Sequence, residues 1–189
     1  MANLPMPEGL TTSDLECVML EVKKIEWEEG YTPSIRDFYG PDFNPNDLFY
    51  GDIPELKYAQ GAVYDDVPHV TLLFGIHPSL TYPEDVDAVL SDWIVPDIHI
   101  KYVGFFDSRI EGQDYYCIVG FCDLTAWLLN GHMRLKGLPY TSSYDEYKPH
   151  MTLAYIKKSA DLSVWLERMN AAFANRIFVV EGLDLGLDE

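Results

Sequence analysis

Basic residues are scarce in this 189-residue chain: 13 Lys and Arg stand against 31 Asp and Glu, a formal net charge of -18. Proteins that grip long nucleic acid draw much of their affinity from Lys and Arg neutralising many phosphates. Thirteen cations scattered among the acids make no basic stripe, so no long nucleic acid is expected as a ligand. A small anion in a local pocket stays open, because a few aimed donors outweigh a distant field screened by salt. Cysteine is also sparse. Cys17, Cys117 and Cys122 are odd in number, lack metal-ligand spacing and lie in apolar stretches. That argues against a disulfide framework or a zinc site, and for reduced core thiols in a cytoplasmic protein. No apolar run reaches the ~20 residues of a membrane span. Residues 1–10 hold two prolines and no apolar stretch, which is not the pattern of a secretory signal. Low-complexity tracts and linkers are missing too, so the expectation is a single domain over residues 1–189.

What is present is an ordinary core supply, 48% hydrophobic, with a high aromatic share of 14%. Aromatics fill cores, and they also offer faces on which a base or sugar stacks. Periodicity predicts a mixed α+β chain. Strands are expected at Leu15 to Val22, His69 to Ile76, Ile98 to Phe106, Tyr115 to Phe121 and His150 to Ile156, with a closing strand from Ile177 to Leu187. Helices are expected at Pro83 to Trp93, from an N-cap at Asp123 through Leu135, and at Leu162 to Phe173 with Asp161 near its cap. Residues 30–68 are rich in Pro, Gly, Asp, Asn and Tyr without steady periodicity, and read as a long irregular segment that is either a lid or surface.

One internal repeat stands out. Pro68-His69-Val70-Thr71-Leu72 recurs as Pro149-His150-Met151-Thr152-Leu153, and each copy opens a strand followed by a helix. Two copies of one strand–helix unit imply a pseudo-symmetric, two-lobed fold. In a strand, residues i and i+2 share a face, so His69 projects with Thr71 and His150 with Thr152. Continued alternation puts Leu73 and Gly75 on the first of these faces, and Ala154 and Ile156 on the second. The small Gly75 and Ala154 would leave room beside the imidazoles.

Two imidazoles and two hydroxyls meeting across a groove suit phosphodiester cleavage. The attacking oxygen must lose a proton while the leaving oxygen gains one, and histidine titrates near neutrality. Threonine hydroxyls can donate to the non-bridging oxygens as charge develops. H-x-T is unlike a zinc-ligand spacing, and neither a metal nor another cofactor is required. A lone H-x-T carries no information; the recurrence, with shared Pro and Leu flanks and matching strand context, does.

These paired H-x-T strands, about eighty residues apart, resemble the 2H phosphoesterase superfamily, which includes 2′-5′ RNA ligase-like proteins, RNA cyclic phosphodiesterases and phage enzymes. The phrases PHVTLLFGI and KPHMTLAYI are most similar to the phage anti-CBASS phosphodiesterases, which degrade the cyclic nucleotide messengers of bacterial abortive defence. The resemblance implies antiparallel sheets flanked by helices around a central cleft. It implies His69 and His150 as the catalytic pair, with Thr71 and Thr152 binding phosphate. It further implies a small cyclic di- or oligonucleotide as substrate, in the host cytoplasm if the protein is phage-encoded. Two alternatives accompany it. One is an enzyme acting on RNA ends with 2′,3′-cyclic phosphate or 2′-5′ linkages; the other is a nucleotide-binding or sequestering module without turnover. Residues 30–68 match nothing in the family, and the oligomeric state is not legible.

Among the other side chains, Glu181 is a candidate substrate-binding residue. It shares a predicted strand face with Ile177, Val179, Leu183, Leu185 and Leu187, where an unpartnered carboxylate is costly. Lys148 reads as a solvated loop lysine, with phosphate contact as the alternative. His77, His99 and His132 lack an i+2 Thr and read as ordinary surface or satisfied core histidines. Tyr64, Tyr144 and Tyr147, in the loops before the two motifs, are candidates for base stacking.

Overall fold

The computed structural model describes residues 3–22, 44–49, 69–108, 112, 114–144 and 146–185. Among these, the elements run β1 (Glu16–Val22), β2 (His69–Ile76), α1 (Pro83–Val89), β3 (Ile98–Asp107), β4 (Tyr115–Cys122), α2 (Ala126–Leu135), β5 (His150–Lys157), α3 (Leu162–Phe173), β6 (Ile177–Phe178) and β7 (Val180–Asp184). Apart from 44–49, the segment read as a lid lies outside the described residues, as does Tyr64.

Local chemistry explains the helix starts. Pro83 opens α1, and the Asp85 carboxylate accepts from the Tyr82 N–H at 2.9 Å. The Asp161 carboxylate accepts from the Val164 N–H at 3.2 Å and caps α3. The cap of α2 is Thr125, not Asp123: the Thr125 Oγ1 accepts from the Leu128 N–H at 3.2 Å. The Asp123 carboxylate is engaged elsewhere, paired with His99 and with Lys101.

The strands form one seven-stranded sheet in the order β6-β3-β4-β5-β2-β1-β7. All its pairings are antiparallel. The expected closing strand is two strands. Ile177–Phe178 pairs with β3 at one edge, and Val180–Asp184 pairs with β1 at the other. Only Val179 separates them, and one residue spans no more than ~3.6 Å. The two edges of the sheet therefore come together, and the sheet is rolled.

The roll divides into two lobes, β7-β1-β2 and β5-β4-β3-β6. They join where Val70 of β2 meets Met151 of β5. Helix α2 packs on β2, α1 on α2, and α3 on β3. One core runs beneath both lobes and holds Val18, Leu20, Val70, Leu72, Ile118, Met151, Leu153, Trp165 and Phe173. Pseudo-symmetry extends below the motif. The β1–β2 register passes over Leu72, and the β4–β5 register passes over Leu153, so each motif strand bulges at the same residue of the repeat.

Candidate active site

The residues flanking the Val70–Met151 pair are the four motif residues, His69, Thr71, His150 and Thr152. Val70 and Met151 both have 0% exposure and point into the core. In an antiparallel pair the residues one step to either side project to the opposite face. Carried one step each way, the register sets His69 against Thr152 and Thr71 against His150, a two-by-two array on the face turned away from the core. In a regular ladder such direct neighbours have Cβ atoms about 5 Å apart and diagonal ones about 7–8 Å apart. His69 and His150 are one diagonal, Thr71 and Thr152 the other. All four are half-buried, which leaves each reachable by a ligand.

The matched bulges overturn the simple alternation expected beyond the motif. Leu72 and Leu73 are both buried, as are Leu153 and Ala154, and the next residue on the motif face is Phe74 in one lobe and Tyr155 in the other. Ala154 and Ile156 instead turn inward, and Gly75 is aimed at the Thr141 carbonyl, so small residues do not open the space beside the imidazoles. The physical cause is the extra residue in each strand, which shifts the two-residue period by one. A signal for the aromatic pair was present: Phe74 and Tyr155 occupy the same position of the repeat.

The two half-sites differ in surroundings. His150 stands opposite Phe121 in β4, its ring edge-on to Phe106 at 5.1 Å between centroids and tilted to Phe121 at 6.5 Å. Phe121 in turn contacts Tyr102 at 5.1 Å and Phe106 at 5.4 Å. Tyr102 is 52% exposed, so this aromatic face reaches solvent beside the site. His69 stands opposite Glu21 of β1, and Thr71 opposite Met19. Sequence patterning had no means of finding Glu21, since only the strand register makes it a neighbour of His69.

Hydrogen bonds set the imidazole of His150. Its Nδ1 lies 2.9 Å from the Lys148 carbonyl oxygen, which can only accept, so Nδ1 carries the proton and Nε2 is the basic nitrogen. The Thr152 hydroxyl is 4.0 Å from the Cys117 sulfur. Burial holds the phenol of Tyr155, the next residue on the motif face, well above the ordinary range. Thr71 is fixed through its backbone, where the Tyr147 hydroxyl donates to its carbonyl at 2.8 Å.

The remaining candidates take other roles. Glu181 is exposed, and its face of β7 is open to water, with Leu183 36% exposed. No buried carboxylate needs a partner there. The β7 residues opposite Glu21 and Met19 are Gly182 and Asp184. The Lys148 ammonium is solvated and lies 3.9 Å from Glu146. His77 is buried and donates from Nε2 to the Thr141 hydroxyl at 2.7 Å, since that hydroxyl gives its own proton to the Leu4 carbonyl. His99 pairs with Asp123. Tyr144 is exposed, whereas Tyr147 is half-buried with its ring stacked on His132. The described residues contain no group of three or more His, Cys, Asp or Glu arranged to hold a metal ion, and no helix among them is long and apolar enough to cross a membrane.

No family model matches the chain, and no curated protein matches it. Solved structures do. Usb1 from Kluyveromyces marxianus, solved with uridine monophosphate, superposes with a TM-score of 0.50 at 10% identity, over 94% of this chain and 97% of that one. A second structure of the same protein matches with a TM-score of 0.47 at 10% identity, over 93% and 95%. The seven-stranded antiparallel sheet, the flanking helices and the near-complete coverage together give this chain the two-lobed 2H phosphoesterase-like fold.

Proposed function

We propose that this chain is a phosphodiesterase acting on a nucleotide ester, with His69 and His150 as its acid–base pair. The observation that supports this most directly is the Val70–Met151 register, which turns both H-x-T copies to one face. One imidazole takes the proton of the attacking hydroxyl while the other donates to the leaving oxygen, two transfers that neutral-pH histidines can make. The Thr71 and Thr152 hydroxyls hold the non-bridging oxygens as negative charge builds on them. The Lys148 carbonyl keeps Nε2 of His150 as the nitrogen that exchanges a proton with substrate. The aromatic face of Tyr102, Phe106 and Phe121 gives a base somewhere to stack beside that histidine.

For the substrate, the preferred reading is an RNA end, such as a 3′-terminal or 2′,3′-cyclic phosphodiester. Likeness of fold to a protein solved with uridine monophosphate supports it over the cyclic messenger suggested by the motif phrases. The net charge of -18 favours a second reading, a compact cyclic di- or oligonucleotide that needs few phosphate contacts. A role against bacterial cyclic-nucleotide defence belongs to that second reading alone.

The test is incubation of the full chain, in EDTA, with short oligouridylates ending in a 3′-hydroxyl or a 2′,3′-cyclic phosphate, and in parallel with cyclic dinucleotides. Cleavage lost by 10²-fold or more in both His69→Ala and His150→Ala is the expected result. Cleavage that survives His150→Ala, or no turnover of any of these esters, overturns the proposal. Tight binding without turnover would leave only a sequestering module.

A further inference from the structure

Strand β2 pays for its bulge with a carbonyl. Passing over Leu72 removes that residue from the ladder with β1, and β5 pairs with β2 only at Val70. A buried backbone carbonyl left without a donor is costly. Two side chains meet the need. Nδ1 of His132, on α2, donates to the Leu72 carbonyl at 2.6 Å, and the Tyr147 hydroxyl donates to the neighbouring Thr71 carbonyl at 2.8 Å. Their rings lie parallel, 5° between planes and 4.0 Å between centroids.

Chain connectivity gives this pair its interest. Tyr147 belongs to the lead-in of β5, one residue before Lys148, whose carbonyl orients the His150 ring. The residue that grips Thr71 in one lobe therefore adjoins the residue that aims His150 in the other. Val70–Met151 is the lobes' one strand-pairing contact among the described residues, so a side-chain tether beside it bears on how far they splay at the motifs.

We infer that Tyr147 and His132 form a strut that sets the separation of the two half-sites: they are positioning residues acting through Thr71, Leu72 and Lys148. The inference rests on the acid–base reading of His69 and His150 for its catalytic consequence, but not for its geometry. Neither group is suited to chemistry of its own. Burial holds the His132 imidazole below its ordinary pKa, where it stays neutral, and holds the Tyr147 phenol far above its own, where it keeps its proton. Both remain donors to carbonyls across the neutral range. Alignment is where they matter, since misplacing a reacting group by about 1 Å can cost 10²-fold in rate.

Tyr147→Phe keeps the ring stack and removes only the hydroxyl. The imidazole ¹⁵N resonances of His69 and His150, assigned with the two alanine variants, are the primary readout in the full chain. Tyr147→Phe is expected to move both sets, and Tyr144→Phe to move neither. On the preferred ester, kcat is expected to fall by about 10–100-fold with KM within threefold. His132→Asn, which can still donate to Leu72, is expected to retain more of kcat than His132→Phe, which cannot. Unmoved His69 and His150 resonances in Tyr147→Phe overturn the strut, whatever the activity. Moved resonances in a protein that cleaves no ester sustain the strut and sink the phosphodiesterase reading instead. A kcat loss that vanishes when the variant and parent are compared at equal fractions folded also overturns it.

Discussion

Val70 and Met151 face each other at the seam of the two lobes, both fully buried, and their pairing turns His69, Thr71, His150 and Thr152 to the other side. A packing contact on one face of the sheet thus sets which way the proposed catalytic residues project on the other. Truncating it tests that link. Met151→Ala leaves a void in a closely packed region and is expected to lower stability by about 2–5 kcal/mol. Chemical denaturation measures this. Cleavage of the preferred ester, assayed where the variant is still folded, is expected to fall as well, because the void lies directly beneath the array.

His132 makes stability depend on pH with a defined sign. Burial lowers its pKa below the ordinary 6.5, against the opposing pull of the Leu72 carbonyl. The unfolded chain therefore binds its proton more readily than the folded one between the lowered value and 6.5. Its contribution is fully present above 6.5 and is lost as pH falls from there through the folded value. Thermal denaturation from pH 7.5 to 5 is expected to show this loss, and His132→Asn is expected to flatten it. A variant curve parallel to that of the parent would contradict the assignment.

Gly75 has a positive φ of 106°, and a Cβ there would sit 2.0 Å from the Thr141 carbonyl oxygen. The same glycine carbonyl accepts from the Thr141 N–H at 2.8 Å, and Ile76 bridges Tyr140. Gly75→Ala is expected to combine backbone strain of about 1–3 kcal/mol with displacement of that segment. A melting temperature unchanged from the parent would show that the backbone relaxes at no cost.

The thiols are expected to be unreactive. Burial pushes Cys122 up to about 12, and burial with Asp184 and Glu16 nearby pushes Cys17 up to about 11. The thiolate is the nucleophile, so almost none is present near neutral pH. Mass spectrometry after alkylation at pH 7.5 should find Cys17 and Cys122 unmodified in the native protein and labelled in denaturant.

Much of this could be read from the chain. The starts of β2, α1, β5 and α3 fall on His69, Pro83, His150 and Leu162, where periodicity and capping put them. The paired H-x-T phrases were enough to indicate a two-lobed fold, because a repeated pattern of residue types favours the same strand in each copy. Asp123 misled as a cap because a carboxylate fits that role locally while its ion partners, His99 and Lys101, come from β3. The exposure of Glu181 was not legible, because its face reads as core in sequence and is open to water in the folded sheet.

What the sequence by itself determined is which strands hold the two H-x-T copies and that each His shares a face with its Thr, since both follow from residue type and spacing over a few positions. Tertiary structure alone decided how those residues meet. The bulges at Leu72 and Leu153 bring Phe74 and Tyr155 onto the motif face, the register puts Glu21 beside His69, and Tyr147 reaches from one lobe into the other. Each depends on pairing between segments far apart in the chain, where a slip of one residue reverses every side chain. No pattern within a single strand records that choice.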